Sequence, residues 1–204
     1  RDGHPSARQP GRLTARHDLP AMTTARPGRR ARYFYDCEFI EDGRTIDLVS
    51  IGIVCDDGRE YYALSSEFDP TRAGPWVAAH VLPHLPRPSD ESWRPRSAIR
   101  DEVLAFLTEP GLPIELWAWC AAYDHVALVQ LWGDMTALPR AIPRLTYEIR
   151  QFWEMAGSPA VSSTGRDRHH ALVDARLGFA RFRAAEQALS RSGAHQRARS
   201  GAGG

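Results

Sequence analysis

The chain has 204 residues, of which 43% are hydrophobic and 25% are charged, a composition typical of one globular domain with a substantial core. No run approaches the roughly 20 apolar residues of a membrane span, and no signal-peptide segment opens the chain, so a cytoplasmic protein is expected. The net charge of +1 hides a division, because residues 32–185 carry 16 Arg against 22 acids. An acidic folded part argues against binding nucleic acid by charge alone, unless bound cations compensate.

The two ends of the chain differ in composition from the middle. Residues 1–31 are rich in Arg, Ala, Pro and Gly without apolar periodicity, which predicts a disordered Arg-rich tail. Met22 is a candidate internal start within it. Residues 190–204 are small and polar, and a second disordered tail is expected there. One folded domain over residues 32–189 is therefore predicted.

The three cysteines give no sign of a disulfide framework. They are odd in number, widely spaced and set in apolar runs, at Cys37, Cys55 and Cys120. Free cysteine is among the most buried residue types. We interpret all three as reduced core residues, and their spacing argues against a zinc site.

The folded part begins with patterns of β-strands and continues with helices. Runs rich in β-branched and aromatic residues are separated by the turns Glu41-Asp-Gly43 and Asp56-Asp-Gly58. These runs predict a three-stranded antiparallel meander over residues 32–39, 46–54 and 60–64. A proline-punctuated connection over residues 75–95 cannot be one helix, and a further central strand is predicted over residues 115–120.

Helical periodicity recurs four times after the meander, in residues 97–107, 123–132, 146–155 and 170–189. Ser97 is the expected cap of the first of these helices, and residues 157–168 are expected to form a loop before the last. A meander followed by strand and helices predicts an α/β fold, in which a mixed sheet of ribonuclease H-like type is flanked by helices in a single domain.

Two acids on the first predicted strand carry the first chemical signal. Side chains alternate along a strand, so Asp36 and Glu38 project to one side and Cys37 to the other. Two carboxylates on one face of an apolar strand repel each other and lose solvation. A bound divalent cation would remove that cost, although the pair could also be a solubility device on an edge strand.

Asp124 follows the central strand, where the chain passes into a helix. Asp is a preferred helix N-cap, so a structural role is one interpretation. The same position is the carboxyl end of a strand, where α/β sheets commonly bind their ligands. Asp124 is therefore also a candidate metal ligand.

His169 precedes Asp174 by five positions. Five helical residues rotate about 500°, so the two side chains would not share a helix face. We therefore place His169 on the preceding loop and Asp174 on the helix. Without substrate the loop over residues 157–168 is expected to be mobile and His169 to be often turned away from the acids. His170 lacks the spacing and is interpreted as an exposed or helix-start residue.

Together the motifs Asp36-x-Glu38, a later Asp124, and His169-x4-Asp174 resemble the DEDDh 3′-to-5′ exonucleases, which have a ribonuclease H-like fold. The longer blocks Tyr-Phe-Tyr-Asp-Cys-Glu-Phe-Ile-Glu-Asp-Gly, Glu-Leu-Trp-Ala-Trp, Ala-Tyr-Asp-His-Val-Ala and His-His-Ala-Leu-Val-Asp-Ala resemble, in order, the actinobacterial polyadenylate-specific exoribonucleases of RNase AS type. That resemblance covers residues 32–182.

The resemblance implies two-metal hydrolysis of RNA from the 3′ end, releasing nucleoside 5′-monophosphates. Asp36, Glu38, Asp124 and Asp174 would hold two Mg²⁺ ions, for which Mn²⁺ can substitute, because oxygen ligands select hard cations. His169 would be the general base, a role that imidazole commonly takes in catalysis. The expected partner is single-stranded RNA or RNA with a 3′ overhang. A preference for adenylate tracts and a homodimer are implied by the resemblance alone.

Two other functions remain open at this point. A DNA-directed DEDDh exonuclease would keep the same five residues, and a catalytically silent RNA-binding module would not need them. Single strands are commonly held by stacked aromatic rings and by Arg contacts to phosphate. The candidates for this role, chosen by proximity to the motifs, are Phe39, Trp76, Tyr123, Arg166 and Arg168. Trp117 and Trp119 alternate on the central strand and are expected in the core.

Overall fold

The structure of the protein, a computed structural model, describes residues 28–162 and 169–201, with side chains described as far as residue 192. Its strands are β1 (Ala31–Glu41), β2 (Ile46–Cys55), β3 (Glu60–Ser65), β4 (Trp93–Arg94), β5 (Ile114–Ala118) and β6 (Thr146–Glu148). Its α-helices are α1 (Pro75–His80), α2 (Arg96–Thr108), α3 (Ala121–Gln130), α4 (Ile149–Met155) and α5 (Ala171–Gly201). Two 3₁₀ turns, Pro70–Arg72 and Leu82–His84, flank α1.

The strands form one six-stranded mixed sheet in the order β4-β3-β2-β1-β5-β6. β1, β2 and β3 pair antiparallel, as the two hairpin turns predict. β5 pairs parallel to β1, and β6 pairs parallel to β5. The predicted α/β class is confirmed, and the mixed sheet flanked by helices is consistent with a ribonuclease H-like fold.

Alternating side chains of β1 enter two different core layers. Tyr33 and Tyr35 belong to the larger apolar cluster, to which α2 contributes Val103. Phe34 faces the other way and packs with Phe182 of α5 in a second cluster. β1 is therefore buried on both faces, and its two acids lie on the face that α5 covers.

The close approach of α5 to the sheet requires a glycine. Gly52 on β2 is the register partner of Asp36 on β1. A Cβ added at Gly52 would lie 2.2 Å from the backbone nitrogen of Leu172, a separation that no side chain can occupy. The absence of a side chain at Gly52 thus lets the first turn of α5, which carries Asp174, lie directly on the sheet.

Three predicted boundaries were wrong. The helix predicted from residue 146 begins only at Ile149, because residues 146–148 form the edge strand β6. Ser97 does not cap α2, whose N-cap position is Pro95. The last helix extends to Gly201 through residues predicted to be a loose tail, a stretch that contains several Ala and Arg residues of high helix propensity.

The prediction that all three cysteines are reduced core residues holds for two of them. Cys37 and Cys55 are buried and Cys120 is exposed, and all three are free thiols. The core prediction was therefore wrong for Cys120, which lies at the corner between β5 and α3.

Among the described helices, none has the length and apolar character to cross a membrane.

Candidate active site

A cleft of about 670 Å³ opens beside β1 and is lined by residues from β1, α1, the β5–α3 corner and α5. The five residues that the sequence motifs single out all line it, namely Asp36, Glu38, Asp124, His169 and Asp174. They come from three separate parts of the chain, namely β1, α3 and the start of α5. The fold therefore brings together residues that are 138 positions apart at the extremes, from 36 to 174.

Asp124 lies in the first turn of α3 but not at its N-cap position. The N-cap position is Cys120, and the Asp124 side chain is only 3% exposed. Its Oδ1 accepts a hydrogen bond of 2.8 Å from the backbone N–H of Cys37, next to both β1 acids. The interpretation of Asp124 as a helix cap was wrong, since its carboxylate ties α3 to the centre of β1.

Glu148 holds the corner from which α3 starts. Its carboxylate accepts hydrogen bonds from the backbone N–H groups of Cys120, at 3.1 Å, and Ala121, at 2.8 Å. It also accepts from the N–H of Arg150 at 2.9 Å and so caps α4. Cys120 has a left-handed backbone, with φ of 62°, a conformation that costs about 1–3 kcal/mol in a residue with a side chain. Sequence reasoning missed Glu148, because its partners are 27 and 28 residues away.

His169 lies just before α5 and has a left-handed backbone, with φ of 69°. Its N–H donates a hydrogen bond of 2.9 Å to Oδ2 of Asp174. The ligating atoms of Glu38, His169 and Asp174 lie within 4.8 Å of one another. In this conformation the ring lies beside the acids, and the expectation that it often turns away without substrate stays a prediction.

His170 points elsewhere. Its ring stacks on Tyr62 at a centroid distance of 4.4 Å, and its carbonyl accepts the N–H of Asp174 at 3.0 Å. It is therefore a helix-start residue, as predicted. It is half-buried rather than exposed, because β3 supplies the ring that covers it.

The acids share a poorly solvated environment. Burial and the neighbouring Asp174 raise the pKa of Glu38 from 4.5 to about 8, and Glu38 is only 8% exposed. Burial, partly opposed by the hydrogen bond from Cys37, raises the pKa of Asp124 to about 8. The pKa of Asp36 lies well above its ordinary value because of burial and the nearby carboxylates of Asp124, Glu38 and Asp174. These acids therefore hold their protons to higher pH than ordinary carboxyls, because burial and mutual repulsion disfavour their charged forms.

This donor set fits hard divalent cations. Four carboxylates converge in one cleft, and carboxylate oxygen is the ligand that Mg²⁺ and Mn²⁺ prefer. A bound cation would relieve the repulsion that raises the pKa values of the acids. His169 lies near enough to Glu38 and Asp174 to be a ligand as well as a base, so metal binding by a His169 variant distinguishes the two roles.

Aromatic side chains form the rim of the cleft. Tyr123 is 49% exposed and stacks on Phe39, with ring centroids 5.8 Å apart and planes 4° apart. Trp76 is 53% exposed, stacks on His80 at 5.0 Å and meets the His169 ring edge to face at 4.7 Å. These three substrate-binding candidates of the sequence analysis, Phe39, Tyr123 and Trp76, thus lie at the cleft.

The remaining candidates have other outcomes. Arg166 and Arg168 lie outside the described residues. Trp117 packs in the second cluster, as predicted. Trp119 also packs against that cluster, but it lines the cleft and supports the guanidinium of Arg181, whose Cζ is 4.0 Å from the ring centroid.

A mixed sheet with converging carboxylates and a histidine in one cleft suits an enzyme of the hydrolase class. Residues 31–184 match the model of the 3′-5′ exoribonuclease Rv2179c-like domain, and the chain belongs to this family. The matched range contains all five motif residues.

Two proteins of Mycobacterium tuberculosis are similar to this chain. They are the 3′-5′ exoribonuclease MT2234.1 of strain CDC 1551 / Oshkosh and the 3′-5′ exoribonuclease Rv2179c of strain ATCC 25618 / H37Rv. Each is 61% identical over 153 residues, which cover 74% of this chain and 91% of the relative.

Proposed function

We propose that the protein is a 3′-to-5′ exoribonuclease of DEDDh type that releases nucleoside 5′-monophosphates by two-metal hydrolysis. The observation that carries the proposal is the convergence of four carboxylates and His169 in one cleft. Family membership adds support, since the relatives in this family are named 3′-5′ exoribonucleases.

Asp36, Glu38, Asp124 and Asp174 would hold two Mg²⁺ ions, with Mn²⁺ as a substitute. When bound, such ions stabilise negative charge on the phosphate and on the leaving 3′ oxygen. The chain prepares the site before any ion arrives, because Cys37 orients Asp124 and the His169 N–H orients Asp174. Both hydrogen bonds are donated by backbone N–H groups, so neither depends on the side chain of Cys37 or His169.

His169 accepts the proton of the attacking water. Its ring faces Glu38 and Asp174 and is braced by the edge-to-face contact with Trp76. A positioned imidazole contributes about 10²–10⁴ in rate through general base catalysis. The left-handed backbone at His169 places the ring over the cleft while leaving α5 to begin at Ala171.

The substrate is an RNA with a single-stranded 3′ end. A cleft of about 670 Å³ with an open aromatic rim suits a terminal nucleotide, and each stacked base contributes about 1–3 kcal/mol on an aromatic platform. Trp76 and the Phe39–Tyr123 pair are the platforms. Preference for adenylate tracts and assembly as a homodimer rest on the family resemblance, and homopolymer competition and light scattering test them.

The test compares 5′-labelled RNA and DNA oligonucleotides of the same sequence, with and without chelator. The proposal expects a ladder shortened from the 3′ end and 5′-monophosphates from RNA, with no product in chelator or from Asp36→Asn. Faster digestion of DNA would identify a DNA-directed exonuclease. Binding of RNA without any product would identify a silent binding module.

A further inference from the structure

Arg181 lies on the same face of α5 as the metal-site acid Asp174. Seven residues separate them, and seven helical residues rotate about 700°, which returns to within about 20° of the starting direction. Asp174, Leu177 and Arg181 all line the cleft. At about 1.5 Å of rise per residue, Arg181 begins about 10 Å further along the cleft than Asp174.

Trp119 supports the Arg181 guanidinium. The guanidinium carbon lies 4.0 Å from the Trp119 ring centroid, and Trp119 is itself packed edge to face against Trp153 at 5.8 Å. A guanidinium stacked on a ring uses its face for that contact. Its N–H donors project from the edge, in the fork that matches phosphate oxygens.

The surrounding charges favour a phosphate as the ligand. Among the described residues that line the cleft, Arg181 is the only arginine, and five are acids: Asp36, Glu38, Glu41, Asp124 and Asp174. Two divalent cations would neutralise the acids at the metal end of the cleft. Two neighbouring arginines of α5 form ion pairs on the protein surface, Arg176 with Glu60 and Arg183 with Glu186.

We propose that Arg181, presented by Trp119, binds a non-scissile phosphate of the RNA close to its 3′ end. The proposal rests on the proposed exoribonuclease function and names a residue that positions its substrate. Two helical turns separate Arg181 from Asp174, so Arg181 takes a neighbouring phosphate while the scissile phosphate lies at the acids. The contact fixes the register of the strand, so that one linkage at a time reaches the catalytic groups.

The test removes the charge from either side of this contact. The substrates are RNA oligonucleotides that each carry one neutral methylphosphonate linkage. In the series, this linkage takes in turn each of the first few positions 5′ of the scissile bond. The enzymes compared are the parent, Arg181→Met, Arg181→Lys and Arg183→Met. Arg183→Met is the control from the exposed side of the same helix. Melting temperatures and circular dichroism report whether each variant keeps its fold.

We expect Arg181→Met to lower kcat/KM on all-phosphate RNA by about 10-fold to 100-fold, the usual loss for a hydrogen bond to a charged group. Arg181→Lys should fall between it and the parent, and Arg183→Met should match the parent. At one position, the neutral linkage should lower kcat/KM of the parent by a similar factor and leave kcat/KM of Arg181→Met almost unchanged. The salt dependence of RNA binding should weaken by about 0.7 in logarithmic slope, one single-strand phosphate contact.

Two results would overturn the proposal. One is a parent enzyme that is indifferent to a neutral linkage at every non-scissile position, a measurement that needs no variant to fold. The other is a loss from Arg181→Met that adds fully to the loss from each neutral linkage, which would make Arg181 a support for Trp119 alone. A parent that releases no monophosphate from unmodified RNA would instead refute the proposed function.

Discussion

In the metal-free protein, Glu38→Gln should raise stability at neutral and alkaline pH. Burial and Asp174 raise the pKa of Glu38 from 4.5 to about 8. Below about pH 4.5 the carboxyl is protonated in both the folded and the unfolded chain. Between that pH and about pH 8 the unfolded chain releases the proton and the folded chain keeps it. The free energy of unfolding therefore falls as the pH rises through this window.

The size of the effect follows from proton linkage. One proton held only by the folded state gives a slope of about −1.4 kcal/mol per pH unit. Over the whole window the loss approaches about 5 kcal/mol, which is comparable to the total stability of a small domain. Gln has the shape of the protonated acid and cannot ionise. The variant should match the parent near about pH 4.5 and exceed it by several kcal/mol near pH 8.

Urea unfolding in chelator across this pH range measures the effect. Glu41→Gln is the matched control, since Glu41 is on the same strand and lines the same cleft but is exposed, and it should follow the parent. Added Mg²⁺ should recover the stability of the parent at high pH and have less effect on Glu38→Gln. A parent whose stability does not change with pH, or a Glu38→Gln protein less stable than the parent near pH 8, would refute the reasoning.

Three further substitutions test single contacts. His169→Ala should lower the single-turnover rate by about 10²–10⁴ with Mg²⁺ binding retained, while His170→Ala should stay within a few fold; lost Mg²⁺ affinity would make His169 a ligand. Gly52→Ala should lower the free energy of unfolding in urea by at least about 3 kcal/mol, because the added Cβ would overlap the α5 backbone. Gly28→Ala, where a Cβ would have no atom within 4 Å, should leave this free energy unchanged. Glu148→Gln should lower stability by about 1–3 kcal/mol and turnover with it, and unchanged values would show that the α3 corner holds without it.

The parts of the fold that the sequence predicts are those set by local pattern. β1 to β3 and their turns follow from β-branched runs and Gly, and the helices from apolar periodicity. The strand pattern places Asp36 and Glu38 on one face, and the spacing of His169 to Asp174 excludes a shared helix face.

The parts that were missed depend on contacts distant in sequence. The three-residue strand β6 is too short to show alternation and exists because it pairs with β5. Glu148, Gly52 and Arg181 look ordinary in sequence. Their contacts with the β5–α3 corner, with the α5 backbone and with Trp119, respectively, form only in the folded chain. Asp124 illustrates the same limit, since a cap and a cleft acid share one local pattern until helix α3 is known to start at Ala121.

The most direct test of the central claim, that these carboxylates act by holding divalent cations, is the rate of 5′-monophosphate release from one RNA as Mg²⁺ is titrated into chelated protein. The account predicts no release without the ion, a rise that depends on more than one bound Mg²⁺, and no recovery of Asp36→Asn at any Mg²⁺ concentration. Release at the parent's full rate in chelator, or by Asp36→Asn, would contradict it.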